Sequence, residues 1–274
     1  MIQRRQFIAS LCGAAAFLAH TTRAQEDVPR VVFSPALGVS QNFWVRYRLR
    51  VNPTAPVGAI QDRFAINYRL TVTPIARENE GYRLRLLVSK LERPSSTQDG
   101  MNMVVAAALM LDDLPIDMLV DARGFLQEPA QWPALQRTLR QRADALPGGP
   151  AFRSVAHSVI DHDAKQVAWH LARPLEAMNF AQSYLSLVKQ TGASTISWYG
   201  SPFDVNVART TTPGEVEITW IAPNGTSLKS TNEGRAVFRQ DGLIAQLTKT
   251  SAPAGDSGTP AREIIEMEAL PATR

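Results

Sequence analysis

Between residues 43 and 91 the chain writes one pattern three times. Phe43, Val45, Tyr47, Leu49 and Val51 alternate with Trp44, Arg46, Arg48 and Arg50. Phe64 to Val72 repeats this with Ala65, Asn67, Arg69 and Thr71 in the polar places, and Tyr82 to Leu91 repeats it with Arg83 and Arg85. A period of two sends successive side chains to opposite faces of a strand. Each stretch therefore has one apolar face and one wet face, which is the signature of an antiparallel sheet covered on one side. Glu80-Gly81 supplies a turn between the second and third stretches. Such a sheet needs an apolar cover, and the rest of the chain must provide it.

The cover is written next. Pro115 to Leu146 reads as a strand, an Asp121-Ala-Arg-Gly124 turn, a second strand and a helix. Glycine at 124 accepts the positive φ that such a turn requires. Trp132, Leu135, Leu139, Ala143 and Leu146 recur at helical spacing and leave Gln136, Arg137, Arg140 and Asp144 to solvent. Pro133 suits a first helical turn, and Pro147-Gly148-Gly149-Pro150 ends the helix. Phe152, Val155, Ala156, Val159 and Ile160 mark a second helical face. Asp163 with Gln166 forms a capping box for a piece that runs to Leu171. Pro174 opens another, with Leu175, Met178, Ala181, Leu185 and Val188 inward and Gly192 closing it. The helical segment thus covers about 130–192. Met101 to Leu111 is apolar throughout and too short to reveal its period; its alanines incline it to a short buried helix over a strand.

From Ile196 strands return. Glu215 to Ile221 leads into Asn224-Gly225, Arg235 to Phe238 and Leu243 to Thr250 flank Asp241-Gly242, and Arg262 to Leu270 is the last strand. The fold class expected is α+β: a curved antiparallel sheet with a central helical insert packed on it, in one domain from 25 to 274.

Residues 1–24 stand apart as an export signal, with a basic start, an apolar middle from Phe7 to Ala19, and Thr22 and Ala24 at the −3 and −1 positions of a cleavage site. Gln3-Arg4-Arg5-Gln6-Phe7-Ile8 fits the twin-arginine pattern of polar, Arg, Arg, any, apolar, apolar. The mildly apolar middle and Arg23 beside the cut favour that route. Leu11 before Cys12 rules out a lipoprotein anchor there. Cleavage after Ala24 places the mature protein in the periplasm. It also removes Arg4, Arg5 and Arg23 from 29 basic residues, leaving 26 against 25 acidic ones. So balanced a chain offers no case for nucleic acid. The single cysteine leaves too, and with it any disulfide, thiol nucleophile or sulfur-bound metal. The longest later apolar run, Met103 to Leu111, stops at Asp112-Asp113, short of the ~20 residues of a membrane span. The mature chain is expected to be soluble, with no transmembrane segment.

Motifs for chemistry are sparse. His157 and Asp161 lie four apart on one helical face, but two ligands do not make a metal site. Ser186-Leu187-Val188-Lys189 matches the Ser-x-x-Lys of cell-wall transpeptidases, and Lys249-Thr250-Ser251 approximates their second box. The Ser-Asp-Asn-like middle element of that family is missing. No catalytic, cofactor-binding or metal-binding residue is assigned, and no cofactor is expected. Charge is distributed unevenly: residues 30–100 hold 11 basic and 5 acidic side chains. Adjacent strands could align Arg46, Arg48, Arg69, Arg83 and Arg85 into a basic face for anionic lipid headgroups or an acidic envelope protein. Met101, Met103 and Met110 offer an adaptable lining for a cavity under the sheet.

This layout, with closing hairpins such as Gly234-Arg-Ala-Val-Phe-Arg-Gln-Asp-Gly242, resembles the half-barrel envelope proteins typified by the lipoprotein carrier LolA. It is also similar to several exported domain families with the same closing hairpins. The resemblance is one of layout, and no ligand-binding residue transfers by motif. It implies a half-barrel that carries apolar or lipidated cargo, or a periplasmic interaction module. Three readings follow in order: a non-catalytic carrier for an apolar or amphiphilic ligand, an assembly factor working through the basic face, and a hydrolase using Ser186 with Lys189.

Overall fold

The three alternating stretches form β1 (Gln41–Val51), β2 (Gln61–Glu78) and β3 (Gly81–Glu92) in a computed structural model of the chain. The model describes residues 32–51, 61–92, 103–164, 167, 191–198, 201–221, 232–251 and 261–271. Helix α1 (Met103–Leu111) follows, then β4 (Ile116–Asp121), β5 (Leu126–Pro129), α2 (Trp132–Ala145) and α3 (Pro150–Ile160). Strands resume with β6 (Gly192–Trp198), β7 (Ser201–Thr212), β8 (Glu215–Ile221), β9 (Asn232–Arg239), β10 (Ile244–Ser251) and β11 (Ala261–Ala269). Return to strand comes four residues ahead of Ile196, at Gly192, whose φ of 99° suits glycine. Ser201-Pro202 opens β7.

The eleven strands among the described residues join one antiparallel, curved and unclosed sheet in the order β5-β4-β3-β2-β1-β11-β10-β9-β8-β7-β6. Neighbours in the sheet are neighbours in sequence, with one exception. First and last strands pair in the middle, from Phe43 opposite Ala269 to Val51 opposite Ala261. Two meanders therefore run outward from a central seam. The chain leaves one edge of the sheet at β5 and re-enters the other with β6, and the connection between them carries α2 and α3. Topology thus makes the helical segment a bridge between the edges.

Alternation decides which face it crosses. Phe43, Val45 and Tyr47 of β1, Ile66, Tyr68, Leu70 and Val72 of β2, and Leu84, Leu86 and Val88 of β3 are all buried on one side. Met118, Ile218, Trp220, Phe238, Leu247, Ile265 and Met267 continue that face on later strands. Helix α1, MVVAAALML, is apolar on every side and correspondingly buried, with Ala106, Ala107, Ala108 and Met110 wholly enclosed. It packs on β3 and against both α2 and α3, which also touch each other. The alanines let backbones approach closely there. Leu139 and Ala143 of α2, with Phe152, Ala156, Val159 and Ile160 of α3, supply the stripes that the spacing predicts.

Specific bonds lash the helices together. Arg142 of α2 donates from Nη1 to the carbonyl oxygens of Met110 (3.1 Å) and Asp112 (2.6 Å), groups that the end of α1 leaves without intrahelical partners. Arg140 meets Asp161 at 2.8 Å, and Gln136 Nε2 donates to the Ile160 carbonyl at 3.2 Å. At one end of the sheet, residues 32–39 run across the strand ends. Phe33 packs edge-on against Tyr82 of β3, centroids 5.5 Å apart, and the Ser34 amide donates to the Asp241 carbonyl in the β9–β10 turn at 2.9 Å. Those two strand ends lie four sheet positions apart, about 19 Å along a flat sheet. Adjacent residues touch both because the sheet curves.

Candidate functional site: the inner face of the sheet

Among the described residues, two buried polar side chains interrupt the apolar inner face. Register places Lys249 of β10 between Gly234 of β9 and Ile265 of β11, with Trp220 of β8 beyond Gly234. Lys249 is 1% exposed and Trp220 is wholly buried. Gly234 makes this arrangement possible, since a Cβ there would overlap the Trp220 ring and the Thr248 carbonyl oxygen. Lysines are almost never so enclosed, because removing an ammonium from water is costly. The second polar residue, Gln41 of β1, is 8% exposed at the opposite end of the strands.

Of the expected cavity-lining methionines, Met110 is fully enclosed among α1's apolar contacts and Met103 is the first residue of that helix. Met101 lies outside the described residues.

The outer face gathers the expected arginines. Arg46, Arg48, Arg69, Arg83 and Arg85 all sit at wet positions of β1, β2 and β3. Register also brings acids and amides between them. Arg48 Nη2 lies 2.6 Å from Glu266 Oε1, with Arg46 Nη1 at 3.9 Å from the same carboxylate. Arg83 pairs with Glu78 at 2.7 Å, and Arg85 grips Asp117 with two bonds of 2.8 and 3.0 Å. Arg69 donates to Asn42 at 3.1 Å. The Asp117 contact raises the affinity of the Arg85 guanidinium for its proton. Sequence reading missed a matching pair on the other meander, where Arg235 holds Glu217 through two bonds of 2.8 Å and also reaches Gln246. Hydrogen bonding from Arg235 pulls the Glu217 carboxyl below its ordinary range. A shallow groove of about 180 Å³ lies on this face beside Trp44, Arg46, Gln246, Glu266 and Glu268.

Two of the polar residues weighed for chemistry, His157 and Asp161, are described, and both meet α2. His157 Nε2 lies 2.9 Å from Asp144 Oδ1, while Asp161 takes Arg140, so both serve contacts between α2 and α3. Ser186 and Lys189, and Arg4, Arg5, Phe7 and Ala24 of the expected export signal, lie outside the described residues. Among the described residues no group of three or more His, Cys, Asp or Glu could hold a metal, and no helix is long and apolar enough to cross a membrane. No protein-family model matches the chain, and no curated protein matches it significantly.

Proposed function

We propose that the chain is a non-catalytic periplasmic carrier or binding protein for an apolar or amphiphilic ligand. One observation carries the reading: an open antiparallel sheet presents a continuous apolar inner face, with α1 packed on β3, α2 beside the edge strand β5, and α3 packed on α1 and α2. Such a sheet, half a barrel in the manner of the lipoprotein-carrier family, can part from its helical cover without breaking strand pairing. Concave apolar surfaces of this sort are common binding sites for lipid-like molecules. Titrating the mature protein with N-phenyl-1-naphthylamine tests the proposal. Saturable fluorescence enhancement at one dye per chain, displaced by a long-chain acyl compound, is expected. An absence of saturable binding would sink the carrier reading.

A second reading, an envelope assembly factor acting through the basic face, draws on the five arginines that share the outer surface. Acidic partners at Glu78, Asp117 and Glu266 neutralise much of that surface, which leaves the reading second. Charge reversal at Arg46 and Arg69 tests it. Envelope proteins captured by the wild type and lost by the double variant are its expected result; an unchanged set removes it.

A further inference from the structure

Gln41 breaks the rule that its own strand follows. It opens β1 on the same face as Phe43, Val45 and Tyr47. Across the sheet it stands opposite Val72, which in turn stands opposite Leu86. Its side chain is enclosed, yet neither Oε1 nor Nε2 meets a hydrogen-bonding partner. Residues on either side show that this is not a general feature of the strand end. Ser40 and Thr73 share a 2.7 Å hydroxyl bond, and Asn42 Oδ1 accepts from Arg69 at 3.1 Å and from Thr71 at 2.7 Å. Those groups face outward. The one amide turned inward is the one left without partners.

A buried amide in that state lowers stability, so its presence needs an explanation. Side chains that violate a local rule without a structural return concentrate where a protein binds something. We propose that Gln41 is the polar handle of the inner face. Its primary amide sets a donor beside an acceptor, and together they take the neutral head of an amphiphile: a hydroxyl, ester or amide group. Apolar neighbours on the face, Phe43, Val72 and Leu86, favour an uncharged head, since an ion there would lose its hydration. The acyl chain then lies along the apolar positions of the inner face. This inference rests on the carrier reading.

Gln41→Met tests it, because methionine keeps the length of the side chain and removes both polar atoms. Three measurements are made on the wild type and the variant: displacement of N-phenyl-1-naphthylamine by 1-palmitoylglycerol, the same displacement by palmitate, and the Tm of ligand-stripped protein. The expected result is about a tenfold loss in affinity for 1-palmitoylglycerol with dye saturation retained, together with a Tm raised by roughly 2 °C or more. Unchanged displacement would overturn the proposal. So would a lowered Tm, which would mean that the amide is held by a structural partner. A wild type that fails to bind the dye at all brings down the carrier reading itself, and Gln41's role falls with it. If the variant loses palmitate as strongly as 1-palmitoylglycerol, a neutral head is the wrong class and the proposal fails.

Discussion

The two faces of the central strands are made from alternate residues of the same few segments, yet they do different work. On the inner face Phe43, Val45 and Tyr47 are almost wholly removed from water. One residue along from each, Trp44, Arg46 and Arg48 line an outer surface of ion pairs and shallow relief. Burial of apolar area stabilises steadily, at roughly 25 cal/mol per Å². Exposed ion pairs contribute about 1 kcal/mol or less each, because water and salt screen them. The inner face therefore holds the fold together. The outer face keeps a wide sheet wet and, through charges spread over it, resistant to stacking on its neighbours. The inner face is also where sequence and packing disagree, at Gln41 and Lys249.

Substitutions that cut one face at a time sharpen this division. Phe43→Ala empties a fully enclosed site at the central seam and should cost about 3–5 kcal/mol, read as a lowered urea midpoint. Arg142→Met should cost about 2 kcal/mol, because it strips two carbonyl oxygens at the end of α1 of their charged donor. Thermal unfolding monitored by circular dichroism would show it. Gly234→Ala adds one carbon against Trp220 and the Thr248 carbonyl, with an expected cost of about 1–3 kcal/mol from overpacking. If that variant matches the wild type in chemical denaturation, the row Lys249–Gly234–Trp220 is not packed as described.

The smallest effect belongs to the outer face, and its pH dependence has a definite sign. Glu217 is held below its ordinary pKa by Arg235. A depressed carboxyl stabilises the folded chain above its unfolded pKa, about 4.3. That contribution disappears as pH falls through the lower folded value. Glu217→Gln should thus lower stability at pH 7, by less than about 1 kcal/mol given the exposure of the pair. The difference from wild type should shrink toward zero as pH falls below that unfolded value and through the lower folded one. A difference that grew on acidification would contradict the assignment.

Short-range features of the fold were legible in the sequence. Strand alternation in β1, β2 and β3 appears without any partner in view, and the Trp132–Leu146 stripe and the Asp121–Gly124 turn rest on similarly local chemistry. The inward alanines of 106–108 likewise point to helix over strand. Long-range pairing was not legible. Nothing local says that Phe43 will lie opposite Ala269, so nothing warned that Glu266 would neutralise Arg48. A basic run in sequence became a mixed lattice in space for that reason alone. Gln41 could have been flagged. Extending the alternation two residues back from Phe43 puts an amide in a core position, and that conflict is visible in the letters before any fold is known.

Mass is the most direct test of the inner face as a binding surface. Protein purified without detergent from its own cells would be weighed under native and under denaturing conditions. A defined extra mass, present in the native spectrum and lost on denaturation, is the expected result, and its value identifies the ligand. Native and denatured masses that both equal the bare polypeptide would contradict the account and leave the inner face as core alone.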